Sequence, residues 1–189
     1  MPPKVKITKE DIISVSLNIV RQDGAEALNA RSVANRLKCS TQPIYSNYPT
    51  MDKLKSDVIE SAMLLYQEYN KRAVKNPDYP PYKAIGMYYI LFAKEERELF
   101  KLLFMRDRSK EENQDDKEEL EVIIKLVSES TGLSIEDAYL FHIQMWIYVH
   151  GIAVMIVTDY LHWDFETISK MLTDVYMGLI KVYKNKEDD

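Results

Sequence analysis

Apolar residues recur three and four apart through most of the chain, the spacing of helices buried along one face. No segment carries a strand signal. The first predicted helix opens at Thr8, where Thr8-Lys9-Glu10-Asp11 offers a capping hydroxyl and acids in the first turn. Ile12, Ile13, Ser16, Leu17 and Val20 follow at helical spacing, and Asp23-Gly24 stops the run. Asn29 is placed to cap a second helix, Ala30 to Leu37, with Val33, Ala34 and Leu37 inward. Lys38-Cys39-Ser40 makes a tight turn. A third, short helix is expected from Thr41 to about Tyr48, capped by Ser40. Pro43 then falls in its first turn, where its missing N–H costs little. Thr50 caps a long fourth helix, Met51 to about Val74.

Lys75-Asn76-Pro77-Asp78-Tyr79-Pro80-Pro81 is a breaker cluster and marks a division along the chain. Helical patterns return at Tyr82–Lys94 and Glu95–Met105. The run from Arg106 to Glu119 is almost wholly polar and reads as a mobile loop. Helix resumes at about Lys117 and stops at Gly132. Ser134-Ile135-Glu136-Asp137 opens another helix, to about Leu161, and a last one runs from Asp164 to about Tyr183. The fold class is therefore all-α. Only five glycines and seven prolines in 189 residues agree with long helices and short connections, and 46% hydrophobic residues suffice for a sizeable core.

Charge changes the picture. The net charge is −5, which taken alone argues against a nucleic-acid partner. Yet residues 1–55 carry nine Lys or Arg against five acids, so this segment is +4 and the remainder −9. That asymmetry suits a chain of which only the first part meets a polyanion, although chance would produce it about as often. The single cysteine, Cys39, excludes an internal disulfide. The start of the chain has no basic-then-apolar signal pattern. The longest apolar stretch, Ile143 to Val157, is interrupted by Gln144 and His150 and falls short of the about 20 residues a bilayer needs. A cytoplasmic protein with no membrane partner is expected.

Two short helices joined by a three-residue turn, behind a supporting helix, suit a helix-turn-helix whose second helix enters the major groove of double-stranded DNA. Gln42 can bond adenine bidentately, Thr41 a base edge or phosphate, and Pro43 can face a thymine methyl. Tyr45 and Tyr48 are expected to reach phosphates through their hydroxyls. Asn29 and Arg31 sit where backbone N–H groups favour a phosphate, and Lys53 is placed for a further contact. Ser32, Ser46 and Asn47 complete the candidate DNA-binding set. The same pattern also fits an ordinary small helical bundle, with Tyr45 and Tyr48 as half-buried aromatics.

Residues 8–60 resemble the N-terminal domain of the tetracycline-repressor-like (TetR) regulators. The resemblance lies in Asn29-Ala30-Arg31-Ser32-Val33-Ala34-Asn35-Arg36-Leu37, in Cys39-Ser40-Thr41-Gln42-Pro43-Ile44-Tyr45-Ser46-Asn47-Tyr48-Pro49, and in Met51-Asp52-Lys53-Leu54. The departures are Gln42, where many members have glycine; Met51, where many have a DNA-touching lysine; and Tyr48, where phenylalanine is usual. Trp146-Ile147-Tyr148-Val149-His150-Gly151-Ile152-Ala153 resembles a motif of one subgroup. The resemblance implies a helix-turn-helix domain, taken as residues 1–52. It implies a C-terminal helical dimerisation and ligand-sensing domain, residues 53–189, whose last two helices pair with a second subunit. It implies repression at a palindromic operator, relieved by a small molecule.

The residues agree about pairing. Ile143, Met145, Ile147, Val149, Ile152, Val154, Ile156 and Val157 surround one helix, which must then be buried on more than one side. Gly151 would let another backbone approach. The final helix carries a conventional stripe: Ile168, Met171, Leu172, Val175, Tyr176, Leu179 and Val182. Candidates for a small apolar or amphipathic ligand are Tyr66, Tyr69, Tyr88, Phe92, Phe104, Phe141, His142, Met145 and Trp146. Each of these also suits plain core, in which case the C-terminal part serves only dimerisation or protein contact. No cofactor or metal is expected, because His142 and His150 are eight apart with no Cys or close carboxylate at ligand spacing. An enzyme is not expected either, since neither a glycine-rich phosphate loop nor a nucleophile elbow is present.

Overall fold

The computed structural model of the protein describes residues 7–107 and 115–185. Helices dominate them, and no strand occurs among them. The elements are α1 (Lys9–Asp23), a single 3-10 turn (Ala25–Ala27), α2 (Ala30–Arg36), α3 (Gln42–Asn47), α4 (Met51–Val74), α5 (Pro81–Glu95), α6 (Arg97–Phe104), α7 (Asp115–Thr131), α8 (Ile135–Val157) and α9 (Phe165–Asn185). Part of the expected polar loop, residues 108–114, lies outside the described residues. α7 begins two residues before Lys117, and α8 stops at Val157, short of Leu161.

Local chemistry explains where the helices begin. Thr8 Oγ1 accepts from Asp11 N while the Asp11 carboxylate accepts from Thr8 N, a reciprocal cap. Ser134 accepts from Asp137 N at α8, and Asp164 from Thr167 N at α9. Gly24, with φ +84°, takes the chain out of α1 in a conformation that side chains rarely adopt.

The chain forms two compact units. The first is Met1–Glu68 with Glu95–Arg106, and the second is Tyr69–Lys94 with Asp107–Asp189. In the first, α1 packs on α2 and α6, and Ile12, Ile19, Val20, Val33, Ile44, Leu54, Val58, Leu99 and Phe100 form the core. Arg21 Nε donates to Glu96 Oε2 at 2.7 Å, so α6 is tied to α1 although 75 residues separate the pair. In the second unit, Val127, Leu133, Ala138, Phe141, Met145 and Tyr183 cluster, with Tyr82, Val175, Tyr176 and Leu179 packed around them.

α8 departs from the expectation for its apolar run. Counted from Ile135 it has 23 residues, and its most apolar 18-residue window has a mean hydropathy of 1.7. By length and composition alone it could cross a membrane, because the helix begins well before the run Ile143–Val157 that seemed too short. Within the chain it buries one side, through Ala138, Phe141, Met145, Val149, Ile152, Ala153 and Val157. Tyr139, Leu140, Trp146, Ile147 and Met155 face outward. On α9 the expected stripe is buried at Ile168 and Leu172, whereas Val182 is exposed, as is Met177.

Candidate nucleic-acid interface

α2 starts at an internally satisfied cap. Asn29 Oδ1 accepts from Arg31 N at 3.1 Å and Ser32 N at 3.0 Å, and Ser32 Oγ accepts from Asn29 N. The N–H groups on which a phosphate is expected thus bond Asn29's own side chain, and Ser32 serves the cap as well. The exposed Arg31 guanidinium remains as the charge at this helix end. Lys38 adopts φ +53°, and its N–H with that of Cys39 closes α2 onto Asn35 and Ala34, which makes the turn tight.

α3 begins at Gln42, with Thr41 at its cap position and no side-chain cap; the expected Ser40 cap does not form. Ile44 points inward and is fully buried, which orients the rest of the short helix. Gln42, Tyr45 and Ser46 are then exposed, Tyr45 at 51%. Ser46 Oγ donates to Gln42 O and Asn47 Nδ2 to Pro43 O, so both polar side chains rest on the helix's own backbone. Thr41 and Pro43 are half-buried.

Tyr48 corrects the sequence reading. It is 1% exposed, and its hydroxyl donates to Asp57 Oδ2 at 3.0 Å instead of facing a phosphate. Burial first, then Asp57, pushes the phenol up to about 12, so it stays a donor. Asp57 Oδ1 holds Lys53 Nζ at 2.8 Å, and the Lys9 ammonium lies 5.4 Å from the Tyr48 ring centre. Lys53 holds the Asp57 carboxyl below its ordinary value, and Asp57 raises the Lys53 ammonium in turn. Sequence reasoning missed Asp57 and Lys9. The i,i+4 spacing of Lys53 and Asp57 was the available signal for the first.

The ligand candidates fall into separate groups. In the first unit, Tyr66 and Phe104 meet edge to face at 5.2 Å. In the second, Tyr69 and Phe92 do the same at 5.2 Å, and Arg72 lies over the rings of Tyr69 and Tyr88. Phe141 and Met145 belong to the α7–α8–α9 core. His142 Nδ1 shares a hydrogen bond of 3.0 Å with Tyr82 Oη, and His150 Nδ1 one of 2.8 Å with Tyr89 Oη. Trp146 stacks on His150 at 5.1 Å and is 44% exposed. A pocket of about 110 Å³ lies elsewhere, in the first unit, lined by Val20, Leu28, Lys55, Val58, Ile59 and Leu102. No three His, Cys, Asp or Glu side chains gather at metal-binding distance among the described residues.

A helix-turn-helix unit joined in one chain to a helical second unit defines a class of regulator. Residues 82–175 match the family described as tetracyclin repressor-like, C-terminal domain. The matched residues make the second unit a C-terminal domain of the tetracyclin repressor-like kind, which supports the TetR family of transcriptional regulators. No curated protein matches it in sequence. Among solved structures, one of a protein with unknown function from Rhodococcus sp. RHA1 superposes with a TM-score of 0.74 at 17% identity, covering 97% of this chain and 98% of that one. A TetR-like transcriptional regulator from the same organism gives 0.63 at 14% identity, covering 95% and 96%. A TetR variant from Acinetobacter baumannii AYE in complex with minocycline gives 0.60 at 15%, covering 95% and 98%. At these identities the likeness is one of fold.

Proposed function

We propose that the protein is a cytoplasmic, homodimeric repressor that binds a palindromic operator through α3 and is released by a small apolar or amphipathic ligand. The observation that carries the DNA reading is α3 itself. Buried Ile44 anchors it, and Gln42, Tyr45 and Ser46 stand outward, with Arg31 and Lys53 on the helices either side. Such a surface offers one bidentate base reader amid phosphate-binding groups. The outward faces of α8 and α9, with Ile147 59% and Met177 58% exposed, support pairing through these helices. Two copies would set their recognition helices about one helical turn of DNA apart. Release requires that the ligand bind the two domain geometries with different affinity.

A second reading, dimerisation or protein contact without a small ligand, is favoured by one observation. Phe92 and Phe141 are fully buried among neighbouring side chains of the second unit, as plain core would be. Selection of random-sequence duplexes by the wild type, beside Gln42→Ala and Tyr45→Ala, tests the DNA reading. Enrichment of one palindrome by the wild type alone is expected, and no enrichment by any of the three would sink it. Release of that palindrome by small apolar compounds then separates the two readings of the second unit.

A further inference from the structure

We infer that Asp57 is a positioning residue for DNA recognition, one carboxylate that holds both the end of the recognition helix and the lysine beside it. This rests on the DNA-binding reading above. Asp57 Oδ2 accepts from Tyr48 at the end of α3, and Oδ1 from Lys53 in the first turn of α4. The Asp57 side chain is 18% exposed, whereas Lys53 is 61% exposed. The carboxylate is thus the fixed partner and the ammonium the outward one. An ammonium has three N–H donors; Asp57 occupies one and leaves two for a phosphate. A phosphate contact made from a fixed point sets the register of the recognition helix on the duplex, which a freely swinging lysine cannot do. A phenylalanine at position 48 could not join the network, because only the tyrosine hydroxyl reaches Asp57.

The arrangement has a cost that makes it recognisable. A carboxylate near the DNA backbone repels phosphates and weakens binding to every sequence alike. Asp57 therefore trades sequence-independent affinity for discrimination. The Lys9 ammonium, 5.4 Å from the Tyr48 ring centre, adds to the lowering of the Asp57 carboxyl by Lys53 and Tyr48.

The test uses the full chain, its selected palindrome and a scrambled duplex, with affinity measured across a salt series. Asp57→Asn keeps an acceptor for Tyr48 but loses the charge. It is expected to tighten scrambled-duplex binding while lowering the preference for the palindrome by about fivefold, the scale of one exposed charge pair. In a Lys53→Ala background the same substitution should alter that preference less than twofold, because its route is gone. An unchanged preference in Asp57→Asn overturns the inference, as does an equal effect with and without Lys53. If Asp57→Asn does not fold, Lys53→Gln is read instead. It should lower discrimination together with a salt slope reduced by about 1, and a reduced slope with intact discrimination overturns the proposal. A wild type that prefers no duplex overturns the DNA reading and this one with it. A wild type that discriminates beside an equally discriminating Asp57→Asn overturns this one alone.

Discussion

Gly86 of α5 and Val149 of α8 stand so close that a Cβ on the glycine would meet Val149 Cγ2 at 3.3 Å, with Leu172 Cδ1 of α9 at 3.7 Å. Three helices of the second unit converge where one of them has no side chain. Val149 is 8% exposed and hemmed in, so little room exists for it to yield.

Gly86→Val should therefore destabilise the protein by about 1–3 kcal/mol, the range of overpacking in a closed core. Urea unfolding followed by far-ultraviolet circular dichroism would measure it. A midpoint equal to wild type would mean that α5 and α8 are not held at this separation.

Gly178 on α9 is the counterpart. A Cβ there meets nothing within 4 Å among the described residues, and neighbouring Met177 is exposed. Gly178→Leu should leave the isolated chain folded. If α9 pairs with a second copy, it should weaken that pairing at least tenfold, seen as a shift to monomer in sedimentation velocity. An unchanged mass at all concentrations would place the partner elsewhere.

Asn29 caps α2 through two backbone N–H groups. Asn29→Ala should cost about 1 kcal/mol, whereas Asn29→Asp should retain most of the cap. The same alanine variant should bind the selected duplex more weakly, because Arg31 sits on the turn that the cap holds. Equal stability of the two variants would remove the cap from the account.

Burial lowers both His142 and His150 below their ordinary value of about 6.5. The unfolded chain then takes up protons before the folded one does. Their contribution to stability is complete above about pH 6.5 and declines as the pH falls from there towards the lowered folded values. The melting temperature should drop between pH 7.5 and 5.5, and His142→Asn with His150→Asn should flatten the drop. An equally steep profile in the double variant would assign the dependence to other groups.

How much of this was legible beforehand depended on the range of the interaction involved. The start of α1 at Thr8, of α2 at Asn29 and of α8 at Ser134 follows from side chains that bond backbone groups two or three residues away. The all-α class follows from the same short-range periodicity. The family match falls on residues 82–175, wholly outside the segment 8–60 whose motif resembled the family most closely.

The sequence by itself determined the helices, the caps at Thr8, Asn29 and Ser134 and the short turn that presents α3, because each is settled within one or two helical turns of chain; it did not determine the start of α3, where the expected Ser40 cap is absent. It did not determine what Tyr48 would do. A tyrosine at the end of a recognition helix can face a phosphate or turn inward, and the choice lies with Asp57, nine residues on, and with the space beside it. Nor could spacing show that α6 joins the first unit through Arg21 and Glu96, or that Phe92 packs on Tyr69 while Phe141 packs on Tyr176. Aromatic side chains at helical spacing promise burial without naming a partner. Only the tertiary structure names it, because the hydrophobic effect is non-directional and close packing decides which rings meet.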